Sequence, residues 1–295
     1  MLVFLAQSLY DYFTLARERQ RPQFITISYS HYVELARWAL EYSHTPFDEH
    51  GFAPGQHVLP TLSVRVAKNG SRNFSKSSVM VGTKASPTAV PTLVLVDGSV
   101  LNDSWEIAEK LSGLAPMTPE LKEILDKELG TKARKYVYSV LLKPQHAATF
   151  TRMVTEGRHW AWTCLWFCGF GFVFKFLLRG SMQTSNSNEI KACKEDVEFL
   201  MSTKLAAFVN ERKGTFLGGD KLGQADIALA SLSSILFCPD EYGGRSGTMF
   251  PFITKILASD PEFREFVTKM RATVVGEYCL KLYKEHRIPI GNSSE

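Results

Sequence analysis

Residues suited to holding a small peptide lie close together between positions 89 and 104. A β-rich apolar run over 92–96 follows Val90 and Pro91, and an Asp-Gly dipeptide typical of tight hairpins closes it. Because proline cannot donate to a sheet ladder, we expect Pro91 at the entrance of the strand, and the Val90–Pro91 bond is a candidate for the cis isomer. The pattern therefore predicts an open backbone edge beside Val90.

A second group of polar residues follows this hairpin. Asp103 and Ser104 precede a run over 105–111 in which apolar residues have helical spacing, so the pair predicts the start of a capped helix. The free N–H groups of a helix start and an open strand edge can together hold a peptide by its backbone and its charged end. The alternative is an ordinary hairpin followed by an N-capped helix.

In this order and spacing, the residues from 89 to 104 resemble the soluble glutathione S-transferases. The resemblance implies that Val90, which precedes Pro91, pairs its backbone with the cysteinyl unit of glutathione. It also implies that Asp103 and Ser104 hold the γ-glutamyl amine and carboxylate. Glutathione would be the co-substrate, and the resemblance implies no metal.

The segment 29–40 resembles the serine-type pattern of plant-like members of that family, and Ser30 falls on the catalytic serine. A free thiol has a pKa of about 8.5, so a site needs a hydrogen-bond donor to favour the glutathione thiolate at neutral pH. The resemblance assigns that role to Ser30, with Ser28 and Tyr29 as alternative donors. The other use of Ser30 is a plain helix N-cap. His31 stands where the family usually has proline.

Other polar residues near this segment are candidates for weaker roles. Ala89 stands where plant-like enzymes often place a lysine for the glycyl carboxylate of glutathione, and Lys84 or Lys76 would have to replace it. His50 and His57 bracket a segment that we expect to be a flexible loop, where histidines are usually polar surface rather than ligands.

The order of the predicted elements defines two domains, as expected for 295 residues when one domain has about 150. Strand–helix–strand followed by strand–strand–helix predicts a thioredoxin-like α/β domain over 23–113, with a long insertion at about 52–88 that we expect to be mobile. A helical extension is predicted over 1–22. From 117 to 290 nearly every segment has helical spacing, which predicts the all-helical second domain of a glutathione transferase.

Two charged residues are predicted to have structural roles. The segment 216–228 resembles the buried capping segment of the transferases, which implies that Asp226 accepts backbone N–H bonds at the start of a core helix. Gly223 stands where the family usually has serine or threonine, so one side-chain cap is absent. For Arg37, we expect a surface or interdomain ion pair.

An aromatic-rich run extends from Trp160 to Phe174 without a charge for fifteen positions, and Lys175 then interrupts it. Because a membrane span needs about 20 apolar residues, the run predicts a buried or pocket-lining helix and no membrane span. Contact with a membrane surface is the alternative.

Composition narrows the class of protein. The net charge of +4 is too small to predict a nucleic-acid partner. Five cysteines without a Cys-x-x-Cys pair predict neither a disulfide framework nor a structural zinc site, and they favour a reducing compartment. Cys164 and Cys168 have only His159 nearby as a further ligand, which favours core positions over a metal site. Without a recognisable secretory signal, we expect a cytoplasmic protein, with an organelle as the alternative.

These observations lead to two hypotheses. The first is an enzyme of detoxification, a homodimer that conjugates glutathione to a hydrophobic electrophile held by the aromatic run. The second is a non-catalytic protein of the same fold that binds a hydrophobic ligand or a protein partner, as the departures at His31, Ala89 and Gly223 suggest. Binding of glutathione with a lowered thiol pKa distinguishes the first from the second.

Overall fold

The computed structural model of the protein describes residues 20–69, 89–243 and 250–287. The predicted extension up to residue 19, together with Lys76 and Lys84, lies outside these residues. A mixed sheet occupies the N-terminal part, and its strands lie in the order β2-β1-β3-β4. The strands are β1 (Gln23–Thr26), β2 (Asp48–Gly51), β3 (Thr92–Val94) and β4 (Val100–Leu101). β1 is parallel to β2 and antiparallel to β3, and β4 is antiparallel to β3.

Side chains that alternate along the strands build a core on each face of the sheet. Phe24 and Leu93 point to one face, where they pack with α1 (His31–Tyr42) and α3 (Ser104–Leu111). Their sequence neighbours Ile25 and Val94 point to the other face and pack against α2 (Val58–Asn69). Two helices on one face and one helix on the other give the thioredoxin-like arrangement.

Helix α2 corrects the prediction of a mobile connection over its part of the 52–88 stretch. Thr61 and Val64 are buried one helical turn apart, and Val64 belongs to the core beneath the sheet. Pro60 lies in the first turn of α2, where a missing N–H group is tolerated. The proline and glycine residues near α2 are typical of loops, which is why the sequence predicts a mobile connection there. The apolar residues nevertheless have helical spacing.

The rest of the described chain is helical, as predicted. Short π-helical turns at Ile124–Gly130, Trp166–Phe170 and Leu200–Lys204 join some helices end to end, and a 3-10 turn at Pro144–His146 precedes another. The helices are α4 (Pro119–Glu123), α5 (Thr131–Leu141), α6 (Ala147–Thr155), α7 (Trp160–Leu165), α8 (Gly171–Ser181), α9 (Ser187–Phe199), α10 (Leu205–Asn210), α11 (Gln224–Phe237), α12 (Phe250–Ser259), α13 (Pro261–Arg271) and α14 (Val274–His286).

The chain divides into two compact units. The first contains the described residues up to Gly113 together with Val154–Phe174, and the second contains Leu114–Met153 and the described residues from Lys175 onward. The sequence places 154–174 in the helical domain, whereas its contacts group it with the sheet. Part of the reason is that the rings of Phe170 and Phe174 lie against Gly55, within 3.4–3.6 Å of the position a Cβ atom would take there.

The role predicted for Asp226 is confirmed. Its carboxylate is fully buried at the start of α11 and accepts hydrogen bonds from the backbone N–H groups of Leu217 and Gly223, each at 2.8 Å. The Tyr278 hydroxyl donates to the same carboxylate. Burial, and then this bond, raise the pKa of Tyr278. The capping carboxylate compensates for the side chain that Gly223 lacks.

The cysteines divide into two environments. Cys193, Cys238 and Cys279 are buried, and burial raises the pKa of Cys238 and of Cys279 to about 12, so these two thiols stay protonated at neutral pH. Cys164 and Cys168 are exposed, so the prediction of core positions for them is wrong. They lie in an apolar helical segment that has no polar face to indicate which side is buried.

The prediction that the same segment is too short for a membrane span is wrong. The helical stretch continues through Lys175 to Ser181, and by length and composition its 22 residues suffice to cross a membrane. Only 22% of its most apolar window is buried. A single lysine does not end a helix, so the helical stretch is longer than the uncharged run. Because most of it is exposed, the prediction of a buried helix holds for part of the segment only.

Candidate functional site

The register of the sheet brings the predicted site residues to one end. Ile25 of β1 lies opposite Thr92 of β3 in an antiparallel pair, so residues that follow β1 and residues that precede β3 share that end. Leu101 of β4 lies opposite Leu93, which returns the chain to the same end. Ser30, Val90–Pro91 and Asp103–Ser104 therefore lie at this end, and the Asp97-Gly98 hairpin lies at the other.

The strand entrance has the predicted form. The Val90–Pro91 peptide bond is cis, as predicted, and Pro91 is buried immediately before β3. The side chain of Val90 packs against the core around Ile25. Val90 lies two residues before the β3 ladder begins at Thr92. The predicted pairing of its backbone with a ligand stays a prediction.

Asp103 and Ser104 form the start of α3. The carboxylate of Asp103 accepts a hydrogen bond of 2.7 Å from the backbone N–H of Glu106, so Asp103 is the N-cap that the sequence predicts. The Glu106 carboxylate in turn accepts from the backbone N–H of Asn102 at 2.9 Å. Ser104 is buried as the first residue of the helix. A half-buried carboxylate can meet the amine of a small zwitterion, and the N–H groups of the helix start beside it can meet the carboxylate of the same molecule.

Ser30 occupies the N-cap position of α1 without capping the helix. Its backbone is extended, its N–H donates to Ile27 at 2.8 Å, and its carbonyl accepts from Glu34 at 2.9 Å. Its hydroxyl makes no capping hydrogen bond. The N-cap use of this hydroxyl is therefore not borne out, and its donation to a ligand stays a prediction. The next residue, His31, is buried, and its ring lies 4.5 Å from the ring of Tyr32.

Arg37 lies in a buried polar network, which contradicts the prediction of a surface or interdomain ion pair. Its guanidinium is fully buried and bonds to Glu34 at 2.8 Å and to Glu49 at 2.6 and 2.9 Å. It also donates to the carbonyl oxygen of Ser28 at 3.2 Å. All of these residues belong to the first unit. Arg37 thus fixes the turn between β1 and α1 that carries Ser30, which makes it a positioning residue.

Arg158 is a candidate functional residue that no sequence signal indicated. Its guanidinium donates to the carbonyl oxygen of Gly51, at the carboxyl end of β2, and its Nε makes no hydrogen bond within the described residues. A Cβ atom on Gly51 would lie 3.4 Å from the Arg158 guanidinium and would clash with the Ser28 hydroxyl. Burial lowers the pKa of Arg158, while Tyr29 and Glu49 act in the opposite direction. A positive charge thus stands beside the alternative donors Ser28 and Tyr29.

Four aromatic rings of the first unit form what we call the inner cluster: Trp162, Trp166, Phe170 and Phe174. Neighbouring centroids lie 5.3–6.2 Å apart, in tilted or edge-to-face arrangements. The last two rings cover Gly55, four residues after the end of β2. The inner cluster is therefore an apolar wall near the site end of the sheet.

His50 does not lie in a loop, whereas His57 lies in the turn that precedes α2. His50 is part of β2, and its Nε2 lies 2.7 Å from Oε1 of Gln23. His57 accepts a hydrogen bond of 3.1 Å from the backbone N–H of Gly55. Within the described ranges, no group of three His, Cys, Asp or Glu side chains could hold a metal ion.

No family model matches the chain, and no curated protein matches its sequence. Solved structures match nearly its whole length. The glutathione S-transferase of Ceriporiopsis subvermispora in complex with glutathione matches with a TM-score of 0.56 at 12% identity, covering 92% of this chain and 100% of that one.

Two further matches have TM-scores below 0.5. Poplar glutathione transferase F1 has a TM-score of 0.43 at 11% identity over 90% of this chain and 99% of its own. A glutathione S-transferase from Methylobacillus flagellatus with glutathione bound has a TM-score of 0.42 at 14% identity over 91% and 100%. The likeness to the Ceriporiopsis protein shows that this chain has the glutathione S-transferase fold, as the sequence predicts.

Proposed function

We propose that this chain, which has the glutathione S-transferase fold, binds glutathione and conjugates its thiol to a hydrophobic electrophile. The observation that carries the proposal is the convergence of three features at one end of the sheet. They are the strand entrance at Val90–Pro91, the acidic start of α3 at Asp103, and Ser30, whose hydroxyl does not cap α1.

Each feature suits one part of glutathione. The backbone of Val90 offers a donor and an acceptor to the cysteinyl peptide unit, in the manner of an added strand. The Asp103 carboxylate suits the γ-glutamyl amine, and the first N–H groups of α3, beginning at Ser104, suit the γ-glutamyl carboxylate. Together these contacts would orient the tripeptide with its thiol toward the β1–α1 turn.

Conjugation requires the thiolate, and two groups at this end of the sheet favour it. The Ser30 hydroxyl, which makes no capping bond, can donate to the sulfur. The Arg158 guanidinium adds positive charge beside Ser28. The thiolate then attacks the electrophilic carbon, a C–S bond forms, and the leaving group or the addition site takes the displaced electron pair. The inner cluster offers the apolar surface for the electrophile.

The binding part of the proposal is tested by charge removal with the cap kept. Asn is as good an N-cap as Asp, so Asp103→Asn removes the anion while the start of α3 stays capped. Asp97→Asn, at the opposite end of the sheet, is the matched control. Isothermal titration with glutathione should show at least tenfold weaker binding for Asp103→Asn and unchanged binding for the control. Equal affinity in both variants would contradict the site.

The catalytic part is tested at Ser30. A hydrogen bond to a charged group contributes about 1.5–3 kcal/mol, so Ser30→Ala should raise the pKa of bound glutathione by roughly one to two units and slow conjugation at neutral pH. Ser43→Ala, at the other end of α1, is the control. A Ser30→Ala protein with unchanged thiol pKa and rate would reduce Ser30 to a structural position.

Ser30→Cys gives an independent reading of the same geometry. A thiol at a helix N-terminus is acidic, and its thiolate can attack the disulfide of oxidised glutathione, forming a mixed disulfide and releasing one glutathione thiolate. Mass spectrometry should show one glutathione adduct at position 30. No adduct after prolonged incubation would mean that the side chain does not face the bound tripeptide.

A non-catalytic binding protein is the second candidate. It is favoured by the buried His31 at the start of α1, because its ring packs at a tilt against the ring of Tyr32 at the place where the transferases usually have proline. In that case glutathione or a hydrophobic ligand would bind without a lowered thiol pKa. The spectroscopic titration of bound glutathione therefore separates the two candidates, whatever electrophile is chosen.

The setting in which this function would operate is also a proposal. We expect a homodimer in the cytoplasm that contributes to detoxification. Light scattering on the purified protein measures the oligomeric state, and fractionation of the source cells measures the location. If the protein is a monomer and still conjugates glutathione, the proposed dimer is wrong and the proposed chemistry is unaffected.

A further inference from the structure

Helix α8 presents a large apolar surface to solvent. We call this surface the outer face. Its side chains are 51–80% exposed, although every one of them is aromatic or aliphatic. The outer face consists of Phe172, Val173, Phe176 and Leu177, and Trp160 and Phe167, earlier in the same helical segment, are exposed as well.

The exposure is one-sided and follows the helical period. In α8, Phe172 and Phe176 lie four residues apart, as do Val173 and Leu177, so these four side chains share one face of the helix. Gly171 lies under the indole of Trp166, where a Cβ atom would come within 2.7 Å of the ring. The buried side of the segment is therefore closely packed, and the outer face is a distinct surface of a well-packed element.

The charges around the outer face are positive. No acidic residue occurs between Glu156 and Glu189. Lys175 and Arg179 each lie three residues after an outer-face phenylalanine and flank that stripe. Their side chains are held in place, Lys175 by Thr151 at 3.3 Å and Arg179 by the carbonyl oxygen of Leu142 at 2.7 Å.

We propose that the outer face binds the surface of a lipid bilayer that contains anionic phospholipids. Aromatic and aliphatic side chains beside fixed cations suit the boundary between acyl chains and negatively charged headgroups. A second copy of this chain is a poorer occupant, because two copies of the face would bring like charges together. The proposal is independent of the proposed glutathione chemistry.

The segment is expected to lie on the bilayer rather than cross it. Cys168 and Gly169 have non-helical backbone angles, with φ of +108° at Gly169, so the stretch is broken near its middle. Neither part alone reaches the roughly 20 residues of a span. Crossing would also pull Trp162 and Trp166, which are almost fully buried, away from the inner cluster.

The test is co-sedimentation of the full-length protein with vesicles of phosphatidylcholine alone and of phosphatidylcholine mixed with phosphatidylserine. We expect binding to the mixed vesicles, weakened by salt. The double variant Phe172→Ser/Phe176→Ser should bind at least tenfold more weakly. Phe199→Ser, which alters a phenylalanine of similar exposure on α9, should bind like the wild type.

A second variant tests the charge. Arg179→Gln should weaken binding to the mixed vesicles about fivefold and reduce its salt dependence, since one basic residue near an anionic surface contributes on the order of 1 kcal/mol. Binding of glutathione should stay unchanged in all three variants, because none alters the proposed glutathione site.

Three results would overturn the proposal. The first is wild-type protein that stays in the supernatant with both kinds of vesicle. The second is a dimer, seen by analytical ultracentrifugation, that dissociates in the double variant while no protein binds vesicles, which would assign the outer face to a second copy. The third is protein in the mixed vesicles that resists carbonate extraction, which would indicate a membrane span.

Discussion

Helix starts in the two units use polar side chains in different ways. In the second unit, Asp226 accepts bonds on both carboxylate oxygens, and so does Asp260, which receives the Phe263 backbone N–H at 3.0 Å, Lys143 at 2.9 Å and His146 at 3.0 Å. In the first unit, Asp103 accepts one capping bond, and the Ser30 hydroxyl accepts none.

The difference distinguishes polar groups that stabilise the fold from polar groups that are available to a ligand. A polar group whose bonds all lie within the protein stabilises its helix and has nothing left for a ligand. A polar group at a helix start that leaves its own helix uncapped costs some stability, and it is available to a bound molecule. If this comparison is right, the free-energy cost of removing each side chain should fall from Asp226 to Ser30, while the effect on glutathione should appear only in the first unit.

The largest loss is expected for Asp226→Ala. Three donors, the N–H groups of Leu217 and Gly223 and the hydroxyl of Tyr278, would lose their acceptor at once. The free energy of unfolding should fall by about 3–5 kcal/mol, measured by urea denaturation. Tyr278→Phe, which removes one donor and leaves the carboxylate, should lose only about 1 kcal/mol. Similar losses in both variants would mean that the capping bonds contribute little.

Asp260 should make the free energy of unfolding depend on pH in the acidic range. Burial raises the pKa of this carboxyl, but the hydrogen bonds from Lys143, His146 and Phe263 outweigh burial and lower the pKa to about 2. The folded pKa is below the unfolded value of about 3.9, so the contribution is present above pH 4 and is lost as the pH falls toward 2.

The measurement is the difference in unfolding free energy between the wild type and Asp260→Asn as a function of pH. We expect a difference of about 1–2 kcal/mol at pH 6, allowing for solvent access to Lys143, and a much smaller one at pH 2. A difference that does not change with pH would show that the charge of Asp260 does not stabilise the fold.

Asp103 should show an intermediate effect. Asp103→Ala removes the bond to the Glu106 N–H and should lower the free energy of unfolding by about 1 kcal/mol, whereas Asp103→Asn keeps the cap and should lose little. Thermal denaturation of the two variants measures this directly. Equal stability of the alanine and asparagine variants would mean that the capping bond is not important for α3.

The smallest change in stability is expected for Ser30→Ala. Since the hydroxyl makes no capping bond, the free energy of unfolding should change by no more than about 0.5 kcal/mol. A loss of about 1 kcal/mol, as for an ordinary N-cap, would assign Ser30 to the helix instead of the ligand and would remove the contrast with Asp226.

Much of this fold follows from short-range patterns in the sequence. The strand that follows Pro91, the capped start of α3 at Asp103 and the helix after Ser30 are all predicted from residues within a few positions of one another, and the resemblance of 216–228 to the transferases implies the buried cap at Asp226. Such predictions succeed because turns, caps and helix starts are made by hydrogen bonds between near neighbours in the chain.

Other features depend on partners that are distant in the sequence. Arg37 is buried because it meets Glu49 of β2, and Arg158 reaches Gly51, more than one hundred residues away. No local pattern indicates either contact. The apolar spacing of Trp160–Ser181 predicts a helix, but a helix without a polar side carries no signal for which face is buried. Only the packing of the inner cluster decides that, and so leaves the outer face exposed.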